Sequence, residues 1–470
     1  MTLPEEIVDT PYFGPLVEEF DEFICLRSRV AKRLLQKLDE SKATGPDKIP
    51  ASVLKVIADE ISVPFAMVCR RLLAEGVWPS CWKMHSVCPL YKKKSAFQPG
   101  NYRGVHLTSI LSKVAEKFIG GQLISFLQSG KYGQNQWAFM PGLSSRDLVT
   151  SLIMSWILDA CVGNKISAYL SDITAAFDRV CKEYLLSKLQ NAGIGVTYLR
   201  FLDAYLQPRQ ARVIVEGTAS DPFEIFNTVF QGTVLGPPLW NTFFADVVGP
   251  AEETGGQASV FADDLNVFQR FPVAISNEEM RRTMGVCRSK VHKWGRTNRV
   301  TFDADKEHIL VIHPLHGEGD PFRLLGCMVD VKLQMAHAID TILSQARPKS
   351  KAILRLKSHY DTRTLVEQFK THIWSILEIH NGAIFHAAQT HLDKIDRFQA
   401  HFLEDLEVTE EYAFWNTRLV DGTCQSTSGC RIRWLFHRMR PLGLSHPKRF
   451  AVRRFAYYKY SFVLGQSQSF

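Results

Sequence analysis

The ten residues Ser259–Phe268, SVFADDLNVF, set two adjacent carboxylates, Asp263 and Asp264, between two apolar arms. The arms read as β-strands, and Ala-Asp-Asp reads as the tip of a tight hairpin joining them. Asp is a common turn residue, because its side chain bonds its own backbone and it tolerates unusual dihedrals. A purely structural turn is therefore one reading. The arms support another. They are apolar almost throughout, which brings the tip close to a core. Two neighbouring anions there repel each other and lose hydration, so they need a cation or a basic partner.

AYLSDITAAFD (Ala168–Asp178) repeats the pattern with one carboxylate, Asp172, at the end of an apolar strand that turns into a helix. If the two strand ends meet, Asp172 and Asp263 can share a bound metal. Oxygen donors suit hard divalent cations, and Mg2+ favours a few carboxylates plus substrate phosphates over a closed protein cage. Imidazole or thiolate would select softer metals. Two such ions about 3.5–4 Å apart form a clamp for in-line phosphoryl or nucleotidyl transfer.

The rest of the chain alternates helices and strands without a strict βαβ period, which favours an α+β core with helical additions. Helical patterns cover 15–40, 51–75, 112–128, 147–162, 181–206, 235–248 and 276–296, and the chain beyond 335 is mostly helical. Strands are expected at His85–Lys94 and Glu307–His313, with a hairpin over Gln210–Gly232. At 470 residues the chain is too long for one core and suggests roughly two to four subdomains.

At this point the residues resemble a known family. SDITAAFD, FQGTVLGPPLWNTFF (Phe230–Phe244) and FADD stand in the order and spacing of palm motifs A, B and C of reverse transcriptases, and are most similar to the non-LTR (LINE-like) retrotransposon group. KATGPDKIPASVLK (Lys42–Lys55) and YKKKSAFQPGNYRGVHLTSILSKVAEKFI (Tyr91–Ile119) resemble its finger blocks, and NQWAFMPGLSSRD its FRPG segment. WGRTNRVTFDADKEHILVI (Trp294–Ile312) and FRLLGCMVD (Phe322–Asp330) resemble motifs D and E.

The resemblance implies a right-hand polymerase of α+β class: an N-terminal helical extension at 1–37, fingers at 38–166, a palm with an antiparallel sheet at 167–334, and a helical thumb and basic C-terminal region at 335–470. It implies an RNA-directed DNA polymerase that uses two Mg2+ ions, with Mn2+ as an alternative, held by Asp172, Asp263 and Asp264. Lys306 takes the motif D position of a proton donor to pyrophosphate. Lys92, Arg103, Ala176, Phe177, Gln231 and Gly232 fall at nucleotide-binding positions, and Leu325 and Gly326 at the primer grip. Any of Lys92, Lys93 and Lys94 fits the second triphosphate cation. Phe177 lies where a ring under the sugar would clash with a ribose 2′-hydroxyl; a plain core role is its other reading. Asp178 and Asp246 read as helix-surface residues.

Four departures from the family pattern bear on fine positioning: Phe261 in FADD for the commoner Tyr, Phe230 for Pro, and Gly104 and His106 for Pro and Ser. Implied partners are an RNA template, a DNA primer and dNTPs, with a separate endonuclease as a further candidate. The polymerase blocks open at Lys42, which leaves no room for an N-terminal endonuclease domain and makes the chain look partial. The alternative is therefore a catalytically inactive, truncated retroelement remnant that binds RNA. A related RNA-directed RNA polymerase or maturase is a third reading, and the bulky Phe177 argues against ribonucleotide use.

Charge adds a little. The formal net charge is +8, and Arg431–Phe470 holds nine Lys or Arg and no Asp or Glu, interleaved with aromatics. Basic groups among aromatic rings suit a nucleic-acid backbone and its bases; a solvated basic tail is the other reading. Cys69, Cys81 and Cys88 read as small core residues. Cys424, Cys430 and His437 do not complete a four-ligand zinc site. No apolar run is long enough to span a bilayer, and the N-terminus lacks a secretory pattern. The expected location is nuclear or cytoplasmic.

Overall fold

The computed structural model describes residues 25–92, 95–129, 135–173, 176–226 and 229–407. The eleven described strands are β1 Met84–Tyr91, β2 Tyr102–Leu107, β3 Asn164–Ser171, β4 Arg209–Val215, β5 Thr218–Ala219, β6 Phe223–Ile225, β7 Gln257–Phe261, β8 Asp264–Pro272, β9 His308–Ile312, β10 Phe322–Leu324 and β11 Cys327–Val329. They form a sheet of β1, β2, β4, β5 and β6, a four-stranded sheet in the order β7-β8-β3-β9, and the ribbon β10-β11. The fold is mixed, as the sequence pattern requires.

β1 and β2 are antiparallel, with Ser86 opposite Leu107 and Tyr91 opposite Tyr102. The other edge of β1 takes β4 in parallel, Met84 opposite Gln210. β6 returns antiparallel on β4, so the expected hairpin over 210–232 is present. β7 and β8 are separated by Ala262 and Asp263 alone, a two-residue connection that only antiparallel neighbours can use. Every residue of β3 from Lys165 to Ser171 is buried, the polar Lys165, Ser167 and Ser171 included.

The described residues divide into two compact units. One is drawn from the described residues of 25–142, 170–267 and 286–307, and the other from those of 143–169, 268–285 and 308–407. In the first, Trp78 packs on Trp82, Phe201 and Tyr205 at ring separations of 5.1, 5.8 and 5.0 Å. In the second, Trp156 meets Phe268 and Phe322, and Phe369 lies 4.3 Å from Phe402. Among the described residues no helix is long and apolar enough to cross a membrane.

Some expectations change in detail. The first described helix is Ser28–Gln36, and Leu38 lies past its end, where the apolar spacing breaks into the Asp-, Ser- and Gly-containing turn. Of the three cysteines read as core, Cys69 is buried, but Cys88 is half-buried and Cys81 exposed. Asp246 is no plain surface residue: it pairs at 2.7 Å with Lys188, whose side chain is 3% exposed and also donates to the Phe243 carbonyl at 2.6 Å. A buried ammonium requires such partners. The basic segment beyond Arg431 and the Cys424, Cys430 and His437 set lie outside the described residues, and so does the side chain of Asp178.

Candidate active site

The β7–β8 hairpin turns on Ala262, whose φ of 59° lies in the left-handed region. A non-glycine residue is held there only by its surroundings. Gln136 supplies the hold. Its Oε1 accepts the Ala262 N–H at 2.9 Å, and its Nε2 donates to the Ala262 carbonyl at 3.4 Å. Trp240 Nε1 donates to the same carbonyl at 2.9 Å. Gln136 is itself fixed, because its segment bridges Val260 in parallel through Trp137 N to Val260 O at 2.9 Å and Val260 N to Asn135 O at 2.8 Å. The tip that carries Asp263 and Asp264 is thus pinned from two sides.

Asp172 follows the last residue of β3. Ile173 bridges Phe302, and the Asp303 N–H donates to the Asp172 carbonyl at 2.9 Å. This contact brings the short 3-10 turn Ala304–Lys306 to the end of β3. The Lys306 ammonium consequently lies against Asp172 Oδ2 and 3.3 Å from Asp303 Oδ2.

The three carboxylates feel one another. Burial, then the charge of Asp172, raises the Asp263 carboxyl above the usual range. Burial, then Asp172 and Asp263, pushes Asp264 up to about 7. Lys306 opposes both shifts, and its own ammonium is raised, foremost by the hydrogen bond to Asp172.

Among the described residues no three His, Cys, Asp or Glu side chains close into a ready coordination shell. Lys306 is the cation that Asp172 meets in this structure. The donor set nevertheless fits a hard divalent cation: it is oxygen only, half-buried, and destabilised by its own accumulated charge.

Motif A continues into the 3-10 turn Ala176–Arg179. Ala176 is buried and Phe177 half-buried, with its ring stacked on Trp240 at 5.5 Å.

Motif B rests on buried polar contacts. Gly232, at φ 78°, presses on β2: a Cβ there would lie 2.5 Å from the His106 carbonyl oxygen, so only glycine allows the approach. Glu116 Oε2 accepts the N–H groups of Val234 and Leu235 at 2.6 and 3.0 Å and the Tyr205 hydroxyl at 3.1 Å. One helical turn on, Gly120 lets Leu235 approach so closely that a Cβ would lie 2.5 Å from its side chain. Burial raises the Glu116 carboxyl, and Arg209 and these donors oppose the shift.

Arg209, 1% exposed, donates to His85 Nε2 at 3.0 Å and to the Tyr205 carbonyl at 3.2 Å. Arginine has no acceptor, so His85 must accept at Nε2 and carry its proton on Nδ1. That Nδ1 lies 3.1 Å from His106 Nδ1. A polar chain therefore runs from Arg209 through His85 to His106, whose backbone faces Gly232. Gln231, half-buried, precedes this contact.

Arg103 stands on the β1–β2 ribbon and Lys92 directly follows β1. Leu90 pairs with Arg103, so Lys92, two residues on, continues the face that carries Arg103. Both are exposed. Lys93 and Lys94 lie outside the described residues. Leu325 and Gly326, at φ 46° and 90°, form the β10–β11 turn of the second unit.

Sequence reasoning passed over Gln136, Glu116, Trp240, Asp303 and the pair Arg209–His85. Glu116 had a signal, as the only acid in the helix Ile110–Ser129. Gln136 had none, because its partner lies 126 residues away.

Comparison with known proteins accords with this geometry. Residues 91–329, just over half the chain, match the family described as "Reverse transcriptase (RNA-dependent DNA polymerase)". The "Probable RNA-directed DNA polymerase from transposon BS" of Drosophila melanogaster is 29% identical over 239 residues, 49% of this chain and 26% of that protein. The "RNA-directed DNA polymerase from mobile element jockey" is 25% identical over 399 residues in Drosophila melanogaster, 79% of this chain and 43% of that protein. Its Drosophila funebris counterpart is 23% identical over 447 residues, 90% of this chain and 48% of that protein. The chain thus spans about half or less of the length of these relatives. The matched segment holds all three carboxylates, the Phe177–Trp240 stack and the motif B turn, and the chain belongs to the reverse transcriptase family.

Proposed function

We propose that the chain is an RNA-directed DNA polymerase of a non-LTR retrotransposon, which extends a DNA primer 3′-hydroxyl on an RNA template with dNTPs. The observation that carries this reading is the convergence of Asp172, Asp263 and Asp264 beside Lys306, inside the segment that matches the family.

The primer 3′-oxygen forms a bond to the α-phosphorus, the bond from that phosphorus to the β-bridging oxygen breaks, and pyrophosphate leaves. Two divalent ions, Mg2+ by preference, held by Asp172, Asp263 and Asp264, would lower the pKa of the attacking hydroxyl and offset charge on the leaving group. Lys306 stands where it can give a proton to pyrophosphate. Arg103 and Lys92 offer the triphosphate two cations on one face, the guanidinium as a planar fork. Gln231 and Gly232 border the nucleotide, Phe177 lies under its sugar, and Leu325 and Gly326 hold the primer end. Fingers, palm and thumb at 38–166, 167–334 and 335–470 remain the domain reading that these roles support. A nuclease that nicks target DNA would come from a separate chain or domain, and the work is nuclear or cytoplasmic.

The test is dTMP addition to oligo(dT) on poly(rA) with Mg2+, for the native chain and Asp263→Asn. Extension that the substitution abolishes supports the reading. A folded native chain that binds the hybrid and never extends it would favour an RNA-binding remnant.

A further inference from the structure

Rejecting a nucleotide because it carries one extra hydroxyl is difficult for a pocket wall. A yielding apolar wall manages only about 10²-fold. A phenyl ring on a short 3-10 turn can swing to another staggered rotamer and give way. Phe177 is not free to do so. It stacks on Trp240 with ring centroids 5.5 Å apart and planes 21° apart. Trp240 is fully buried, and Phe244 extends the stack at 5.2 Å and 23°. The indole cannot slide within its plane either, because Nε1 is committed to the Ala262 carbonyl at 2.9 Å.

We infer that Trp240 sets sugar discrimination. It is a positioning residue that backs Phe177 and makes the wall under the sugar unyielding. This rests on the polymerase reading above and deepens it. The same indole holds the tip that carries Asp263. A ribonucleotide that pushes Phe177 therefore pushes on the ring that fixes Ala262, and the misfit is felt at the carboxylates as well as at the sugar. The occupant discriminated against is a nucleoside triphosphate with a 2′-hydroxyl.

The test compares dCTP with CTP opposite a template guanine, as the ratio of kcat/KM values. The same ratio is read as nucleotide affinity on a primer ending in a dideoxynucleotide, which needs no turnover. The full chain is used, and the melting temperature reports folding. Phe177→Val should remove most of the preference. Trp240→Leu, which stays apolar but loses the stack and much of the ring's volume, should lower the ratio about tenfold, and Trp240→Phe, with a smaller ring and no N–H, about threefold.

A merely structural role for Trp240 lowers dCTP and CTP use by the same factor, and that result overturns the inference. If Trp240→Leu does not fold, Trp240→Phe decides alone. Loss of preference in Phe177→Val, with the native ratio kept in the folded Trp240 variants, overturns the inference and leaves the polymerase reading standing. A native ratio kept in Phe177→Val overturns the wall itself. A native chain that neither uses nor binds either nucleotide overturns the polymerase reading.

Discussion

Gln136 pairs with both hydrogen-bonding groups of the Ala262 backbone, 126 residues away, and so fixes the hairpin tip that carries Asp263 and Asp264. A left-handed alanine costs on the order of 1–2 kcal/mol. The amide clamp offsets that cost.

Gln136→Ala should therefore destabilise the chain by about 1–3 kcal/mol, since it leaves the Ala262 N–H without its partner, while the carbonyl keeps Trp240 Nε1. Adding Ala262→Gly should restore about 1 kcal/mol, because glycine adopts this conformation without strain. Urea melts of the two single variants and the double variant check this. A Gln136→Ala loss below about 0.5 kcal/mol would show that the clamp does not hold Ala262.

Glu116 should be as consequential for motif B. Glu116→Ala leaves the half-buried Val234 N–H, the buried Leu235 N–H and a buried tyrosine hydroxyl without this acceptor, and should cost about 3–5 kcal/mol, whereas Glu116→Gln keeps one accepting oxygen and should cost less. Nucleotide KM should rise in the Gln variant more than affinity for the hybrid falls, because the turn it supports carries Gln231 and Gly232. Equal losses in both would mean that Glu116 stabilises without positioning.

His85 should make the fold acid-sensitive. Burial first, then Arg209 and His106, holds its imidazole down to about 2. Unfolded, it takes up a proton near pH 6.5, and the folded chain does not. The stability this provides is fully present above about pH 6.5 and is lost as pH falls, at about 1.4 kcal/mol per unit. His85→Gln keeps an acceptor for Arg209 and does not titrate. The stability gap between native chain and variant should shrink by that slope between about pH 6 and pH 4.5. Parallel curves across this range would rule the effect out.

Lys306 should matter to turnover and little to binding. A positioned general acid contributes about 10²–10⁴-fold. Lys306→Met should therefore lower kcat by at least about 10²-fold with hybrid affinity unchanged. A kcat within a fewfold of native would remove Lys306 from the reaction.

Much of this was legible in the chain. The apolar arms around Asp263–Asp264 and before Asp172 marked two strand ends, and both are strand ends, because period and burial are local properties that side-chain order records. The SDITAAFD, FQG and FADD blocks carried the family. What side-chain order does not record is which distant polar groups meet. Gln136 with Ala262, Glu116 with the motif B turn, Arg209 with His85, and Trp240 between Phe177 and Ala262 are fixed only when the chain closes on itself. Each is a buried polar or aromatic contact whose partner is chosen by three-dimensional packing, and a hydrogen bond between residues more than a hundred positions apart leaves no periodic trace. The sequence determined the carboxylates and the strands that carry them; only the tertiary structure decided what holds them still.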